Sequence, residues 1–252
     1  MPSAMSNAPA LVLSSGFLAF ARHVGVALGL EALGIRPARI CGVSSGALVG
    51  ALLAAGHPAA EIADLIAGTR VRSYLRPRFP LAGGVPGLFS LEPLVRLLRE
   101  RLPERIEELP TPFAAGVVDR ASRQPVLLES GPLAEAVAAS CAVPAIFAPR
   151  RLDGRLLIDG GVIDRIFLGP LLERHPVEEA IVHLVAPSGY RTAERQGSVE
   201  RQLEAAAAHA RIRVVRTGRS EASLWSLGDV RRQIEEAKAA TISTLEPREA
   251  HR

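Results

Sequence analysis

The sequence predicts an α/β fold in which a mainly parallel central sheet is flanked by helices, and three observations carry that prediction. Short apolar runs alternate with helically spaced stretches from residue 11 to residue 55, which is the grammar of strands joined by helical crossovers. A Gly42, Val43, Ser44, Ser45, Gly46 run lies where one apolar strand turns sharply into a helix. The chain has 252 residues, 48% of them hydrophobic, enough for one large core, and no break in composition divides it. A single domain over residues 10–245 is therefore expected, with tails at 1–9 and 246–252.

The elements follow from local pattern. Residues 11–13 read as a short buried strand, and 21–33 carry helical spacing through Val24, Leu28 and Leu33 until Gly34 ends the helix. Residues 38–41 form the strand, and 47–55 the helix, on either side of Ser44. Helix continues over 61–67. Residues 70–88, with Pro77, Pro80, Gly83, Gly84, Pro86 and Gly87, are expected to be a long loop of the kind that serves as a lid or binding surface. Residues 91–102 form an amphipathic helix after a Ser90 cap. Strands are expected at 113–119, 125–129, 155–158 and 180–185, with a helix at 132–140 and a polar turn at 120–124. From residue 193 onward the chain looks helical and charged, with Gly197, Gly218 and Gly228 as interruptions, which suggests a pair of helices covering the sheet.

Composition narrows the function classes. A formal charge of +4 and a pI near 9.8 would admit nucleic acid, but the basic residues are almost all arginine, scattered among acids, without an aromatic-studded stripe. The local exception is Arg70, Arg72, Tyr74, Arg76, Arg78, Phe79, which reads as a solvated loop or as a contact for anionic head groups. Cys41 and Cys141 are too few for a disulfide framework, so a reducing, cytoplasmic setting is expected. Polar and charged residues at 14–16, 22 and 23 break the first apolar stretch, which argues against a signal peptide or a spanning helix. Neither a metal-ligand spacing nor a nucleotide loop emerges, so no cofactor is expected. Trp225 is expected to pack under the terminal helices or to anchor at a membrane interface.

The chemistry centres on Ser44. Its turn needs small residues two places to either side, and Gly42 and Gly46 supply them. At a helix start, unpaired N–H groups and the helix dipole favour negative charge on an attacking oxygen; a plain N-cap is the competing reading of Ser44. For a proton acceptor, Asp159 closes an apolar strand and is followed by Gly160 and Gly161, the position where open α/β sheets place functional groups. A histidine triad in the order Ser, Asp, His would need His175, His183, His209 or His251, none of which has a loop setting. Ser44 with Asp159 is thus the favoured pair, with burial strengthening the carboxylate as a base. The Ser45 N–H and the early loop, with Ser15, Gly16 and Phe17, would supply oxyanion donors.

These residues resemble the patatin-like phospholipase family, whose hallmarks are a glycine-rich oxyanion loop, a GxSxG elbow and a later DGG or DGA aspartate. The resemblance runs from about residue 11 to about 185 and includes the small-residue segment 138–149 before the aspartate strand, and His23, Val24, Gly25, Val26 after the oxyanion loop. It implies a patatin-like three-layer fold, Ser44 as nucleophile, Asp159 as base, and a lipid or fatty-acyl ester as substrate, with possible peripheral contact at a membrane. One block departs: where the family has three adjacent glycines, a basic residue and another glycine, only Gly16 remains in Ser15, Gly16, Phe17, Leu18, Ala19, and whether Arg22 offsets the missing basic residue is left open. The alternative function is therefore a lipid- or acyl-binding protein whose altered loop has lost turnover.

Overall fold

The computed structural model describes residues 8–78, 87–187 and 192–246. The chain opens with β1 (Ala10–Leu13), α1 (Phe20–Ala32), β2 (Arg39–Val43), α2 (Ser45–Ala54) and α3 (Ala59–Ala67), the alternation expected from the apolar runs. Gly34 takes φ +67° just past α1, the left-handed conformation that lets a chain leave a helix. A 3₁₀ turn at Val71–Tyr74 leads to β3 (Arg76–Pro77), which pairs antiparallel with β4 (Phe89–Ser90). The expected loop at 70–88 is thus partly ordered by its own ends, while residues 79–86 lie outside the described residues. Leu91 rather than Ser90 is the N-cap of α4 (Glu92–Arg101); Ser90 stands one residue earlier, its Oγ accepting from the Glu92 N–H at 3.2 Å, and Leu94, Val95 and Leu98 form the buried stripe of that helix.

The second half runs β5 (Phe113–Asp119), β6 (Pro125–Leu128), α5 (Leu133–Ser140), β7 (Arg150–Leu152), β8 (Arg155–Asp159), α6 (Leu168–Arg174), β9 (Glu179–Val185), α7 (Thr192–Ala207), β10 (Arg211–Thr217) and α8 (Val230–Leu245). Here the expected pair of terminal helices needs correction, because β10 lies between them and extends the sheet parallel to β9. Its sequence hides it: three arginines in seven residues look like a helix surface. They are edge-strand charges instead, with Arg213 paired to Glu179 at 3.4 Å and Arg216 to Glu200 at 2.9 Å. Gly197 falls inside α7 rather than interrupting it. The short β7 was also unforeseen; it pairs antiparallel with β8.

Hydrogen-bonded neighbours run β10, β9, β1, β2, β5, all parallel, so the centre of the sheet is parallel as the sequence predicts. The two faces of β1 show why. Leu11 and Leu13 enter the larger core with Val24 and Leu30 of α1 and Leu52 of α2, while Ala10 and Val12 enter a second core with Phe167, Leu171 and Leu203. A strand covered on both faces reads as a continuous apolar run, and each fully buried leucine of this kind contributes roughly 1.5–3 kcal/mol. Antiparallel strands gather at β5, where β6 takes one edge and β8 the other. Among the described residues no helix is long and apolar enough to cross a membrane.

Candidate active site

Ser44 is the single residue between β2 and α2, and it adopts φ +56°, ψ −120°. A non-glycine residue held there costs on the order of 1–3 kcal/mol, so its surroundings must impose it. They do so through the backbone. The Ser44 N–H donates to Ser140 Oγ at 2.8 Å, the Ser140 hydroxyl donates to the Gly116 carbonyl at 2.7 Å, and the Cys141 thiol donates to the Ser44 carbonyl at 3.3 Å. The Ser44 side chain makes no capping bond to α2, so the plain N-cap reading fails. Both glycines of the elbow are obligatory for close approach. A Cβ on Gly42 would collide with the Gly46 carbonyl oxygen and lie 2.6 Å from the Ala47 backbone; one on Gly46 would lie 2.7 Å from the Leu13 carbonyl carbon.

Asp159 reaches the same place from the opposite direction. β2 pairs with β5 up to Val43 against Gly116, and β8, running antiparallel, begins its pairing with β5 at Asp159 against Val117. Because β6 already occupies the other edge at Gly116 and Val117, β2 and β8 share one edge of β5 and meet end to end. The chain leaves that edge at Ser44, rejoins it at Leu157 and leaves it again at Asp159. The Asp159 side chain is buried, accepts from the Gly161 N–H at 2.7 Å, and its own N–H donates to the Ala142 carbonyl at 3.1 Å. Gly160 lies over β5, where a Cβ would sit 2.5 Å from the Gly116 carbonyl oxygen, and Gly161 passes Ser15 equally closely.

Two cavities meet at Ser44. One is the more polar, lined by Ser15, Gly16, Ser44, Asp159, Gly161 and Arg165 together with apolar side chains such as Val143 and Val162. The other is almost wholly apolar and runs from Ser44 past Leu48, Leu94, Leu97, Val143 and Phe147. Phe17 walls both. In the loop between β1 and α1, the Ser15 N–H donates to the Arg165 carbonyl at 2.8 Å, so that expected oxyanion donor is already engaged. The N–H groups of Gly16 and Phe17 have no partner among the described residues. Ser45 is the first residue of α2, where main-chain N–H groups lack intrahelical acceptors.

Several expectations change here. Arg22 does not replace the loop's missing base: it is buried against α8, donating to Glu236 at 2.5 Å and to the Gln233 and Arg219 carbonyls. Arg165, which the sequence reading passed over, occupies the polar cavity and donates to the Ser15 and Val185 carbonyls at 3.0 and 2.7 Å. No described histidine lines either cavity. His183 is fully buried within the sheet, as its strand position suggests, His175 sits 2.6 Å from Glu129, His209 lines a groove beside α6, and His251 lies outside the described residues. Ser140 and Cys141, which grip the Ser44 peptide, were visible only as part of a small-residue segment. Burial, then Asp159, pushes the Cys141 thiol well above its ordinary range, and burial does the same to Cys41, so neither is a reactive thiolate. Trp225 is 69% exposed rather than packed, with the Arg72 guanidinium 5.4 Å over its ring.

Residues 11–181 match the family described as patatin-like phospholipase. The chain belongs to the patatin-like phospholipase family. Among curated relatives, uncharacterized NTE family proteins of Mycobacterium bovis and Mycobacterium tuberculosis are 36% identical over 163 residues, covering 64% of this chain and 45% of each of theirs. The chain thus spans less than half the length of these relatives. Among solved structures, VipD from Legionella pneumophila superposes with a TM-score of 0.59 at 17% identity, over 95% of this chain and 67% of VipD. ExoU from Pseudomonas aeruginosa does so with a TM-score of 0.52 at 17% identity, over 96% of this chain and 53% of ExoU. These likenesses show that the fold shared with VipD and ExoU covers most of the chain, beyond the 11–181 match.

Proposed function

We propose that this protein is a serine acyl hydrolase that cleaves acyl esters of lipids, of phospholipase A or lysophospholipase type, with a Ser44–Asp159 dyad in one domain over residues 10–245. The observation that supports the reading is the meeting of the two strand ends on one edge of β5, with Ser44 and Asp159 lining one cavity and an apolar cavity alongside. The acyl chain occupies the apolar cavity and the head group the polar one. Ser44 Oγ attacks the acyl carbonyl carbon while its proton passes to the Asp159 carboxylate. The tetrahedral oxyanion is met by the Gly16, Phe17 and Ser45 N–H groups, each such donor being worth about 3 kcal/mol in reactions of this class. Collapse expels the alcohol, which takes the proton from Asp159, and leaves an acyl ester on Ser44. Water, deprotonated by the same carboxylate, releases the fatty acid.

A membrane surface is the natural source of such a substrate. Among the described residues Trp225, Leu88, Val162 and Ile163 are the exposed large apolar side chains; the Arg72 guanidinium lies over Trp225, and Arg70 and Arg76 are exposed close to Arg72 in sequence. Val71 and Leu227 line the apolar cavity and adjoin Arg72 and Trp225 in sequence, and Val162 lines the other cavity, which supports peripheral contact with anionic lipid. The two buried, unpaired cysteines support a reducing, cytoplasmic setting.

A fluorophosphonate probe is expected to label Ser44 stoichiometrically, and turnover of a p-nitrophenyl ester to vanish in Ser44→Ala and Asp159→Asn. Full activity in both variants would reject the dyad. Lipid co-purifying with a protein whose Ser44 takes no label would instead support the non-catalytic binding function.

A further inference from the structure

Behind the oxyanion loop, buried side chains from four elements form a continuous hydrogen-bond chain. Thr217 Oγ1, at the end of β10, lies 2.8 Å from His183 Nε2 on β9. His183 Nδ1 lies 2.8 Å from His23 Nδ1 on α1, the rings meeting edge to face. His23 Nε2 lies 3.1 Å from Ser45 Oγ, and the Ser45 hydroxyl donates to the Gly16 carbonyl at 2.7 Å. Both histidines are completely buried.

The chemistry of the groups allows one direction for the protons. The Gly16 carbonyl only accepts, so the Ser45 hydroxyl must give its proton there and accept from His23. That requires Nε2–H on His23, which leaves its Nδ1 as an acceptor. His183 must then carry Nδ1–H, and its Nε2 must accept from the Thr217 hydroxyl. Each hydroxyl and ring proton is used once. A second proton on either ring would set two N–H groups against each other at the Nδ1 contact or leave Thr217 without its acceptor. The rings are correspondingly held neutral: burial pushes His23 down to about 3, with the Ser14 main chain opposing the shift and Arg165 adding to it, and burial, His23 and Arg22 hold His183 well below its ordinary value.

The chain ends on the peptide that joins Gly16 to Phe17, whose carbonyl also accepts from the Ala19 N–H at 3.3 Å, a longer bond than the one from Ser45. A trans peptide sets its carbonyl and its N–H on opposite sides, so fastening the Gly16 carbonyl to Ser45 turns the Phe17 N–H the other way. We infer that His23 and His183 are positioning residues for the oxyanion loop, a neutral relay from the sheet that fixes the Gly16–Phe17 peptide by side-chain hydrogen bonds where the loop has only one glycine. This rests on the hydrolase function proposed above. Neither ring touches the reacting atoms, and neither exchanges a proton during turnover.

The test has one arm that needs no activity. In protein labelled with ¹⁵N-histidine, long-range proton–nitrogen correlations are expected to show His23 as the Nε2–H tautomer and His183 as the Nδ1–H tautomer, both neutral from pH 5 to pH 8. A ring that titrates near its ordinary value, or the opposite tautomer at either site, overturns the relay. The second arm compares fluorophosphonate labelling of Ser44 in the wild type, His183→Asn and His183→Leu at equal folded fraction. Asparagine Nδ2 can donate where His183 Nδ1 does, so His183→Asn is expected to label within about threefold of wild type. His183→Leu frees His23 to take the other tautomer and draw the Ser45 hydroxyl off Gly16, so its maximal labelling rate is expected to fall at least about tenfold with little change in probe affinity. Should His183→Leu not fold, Ser45→Ala, which keeps its main-chain N–H, must show the same fall. A reactive wild type matched in rate by these variants overturns the positioning role alone. A wild type that takes no label overturns the hydrolase reading and with it the catalytic purpose of the relay, while the tautomers still decide whether the relay exists.

Discussion

Ser44 and Asp159 stand at the ends of two strands that meet on one edge of β5, Val43 opposite Gly116 and Asp159 opposite Val117. Neither is carried there by a long loop. Each is held by backbone bonds to α5 and the segment after it, Ser44 through Ser140 and Cys141, Asp159 through Ala142. The segment from Ser140 to Ala142 is therefore a bracket spanning both residues, and the strain at Ser44 is balanced by rigid neighbours rather than by glycine.

Ser140→Ala removes the acceptor of the Ser44 N–H and the donor to the Gly116 carbonyl. Leaving such buried groups unpaired costs about 1–3 kcal/mol each. Urea unfolding is expected to show a loss in that range, and fluorophosphonate labelling of the folded fraction is expected to slow. Unchanged stability would mean that the elbow is self-supporting.

The apolar cavity beside Ser44 predicts a length preference that bulk can reverse. Leu97 lines it on α4, on a face that is only partly buried. Leu97→Trp is expected to cut kcat/KM for long-chain p-nitrophenyl esters tenfold or more while leaving the butyrate ester within about twofold. An equal loss on both would point to a folding defect, and no loss on either would take the acyl chain elsewhere.

Stability is expected to fall on mild acidification. His23 and His183 have folded values depressed below 6.5, His23 to about 3, so the unfolded chain binds protons that the folded chain refuses. The contribution is complete above about pH 6.5 and is lost as pH drops toward 3, at up to about 1.4 kcal/mol per pH unit for each ring. The depressed carboxylates Glu92 and Glu129 add their own loss only below their ordinary value of 4.5. Urea midpoints measured at pH 7.5 and pH 5 should differ clearly; equal midpoints would contradict neutral, buried rings.

Arg22 gives the contrasting case of a buried cation remote from chemistry. Arg22→Ala removes its bonds to Glu236 and to the Gln233 and Arg219 carbonyls between α1 and the α8 region. A cost of about 1–3 kcal/mol is expected, lowered in the ledger by the half-exposed Glu236 partner, which water can serve instead. Thermal denaturation should register it while the labelling rate of the folded protein stays put. A slowed label would tie Arg22 to the oxyanion loop after all.

The parallel core and the Ser44 elbow were legible because they depend on short-range rules. Runs such as residues 11–13 and 113–119 are apolar since both their faces are covered, and Gly42 and Gly46 flank a turn too tight for any side chain. β10 was not legible, because its arginines find their partners on β9 and α7, and pairing across a sheet leaves no mark on local periodicity.

By itself the sequence determined the family, and it singled out the candidates for chemistry: a serine in a strand-to-helix turn and an aspartate closing a strand before two glycines. Only the tertiary structure decided what surrounds them. It turned Arg22 away and brought Arg165 in, closed the Ser15 N–H, and set His23 against His183. The physical reason is that a hydrogen bond in a buried site is fixed by the mutual placement of distant strands and helices, and a polar residue carries the capacity for such a bond without carrying the identity of its partner.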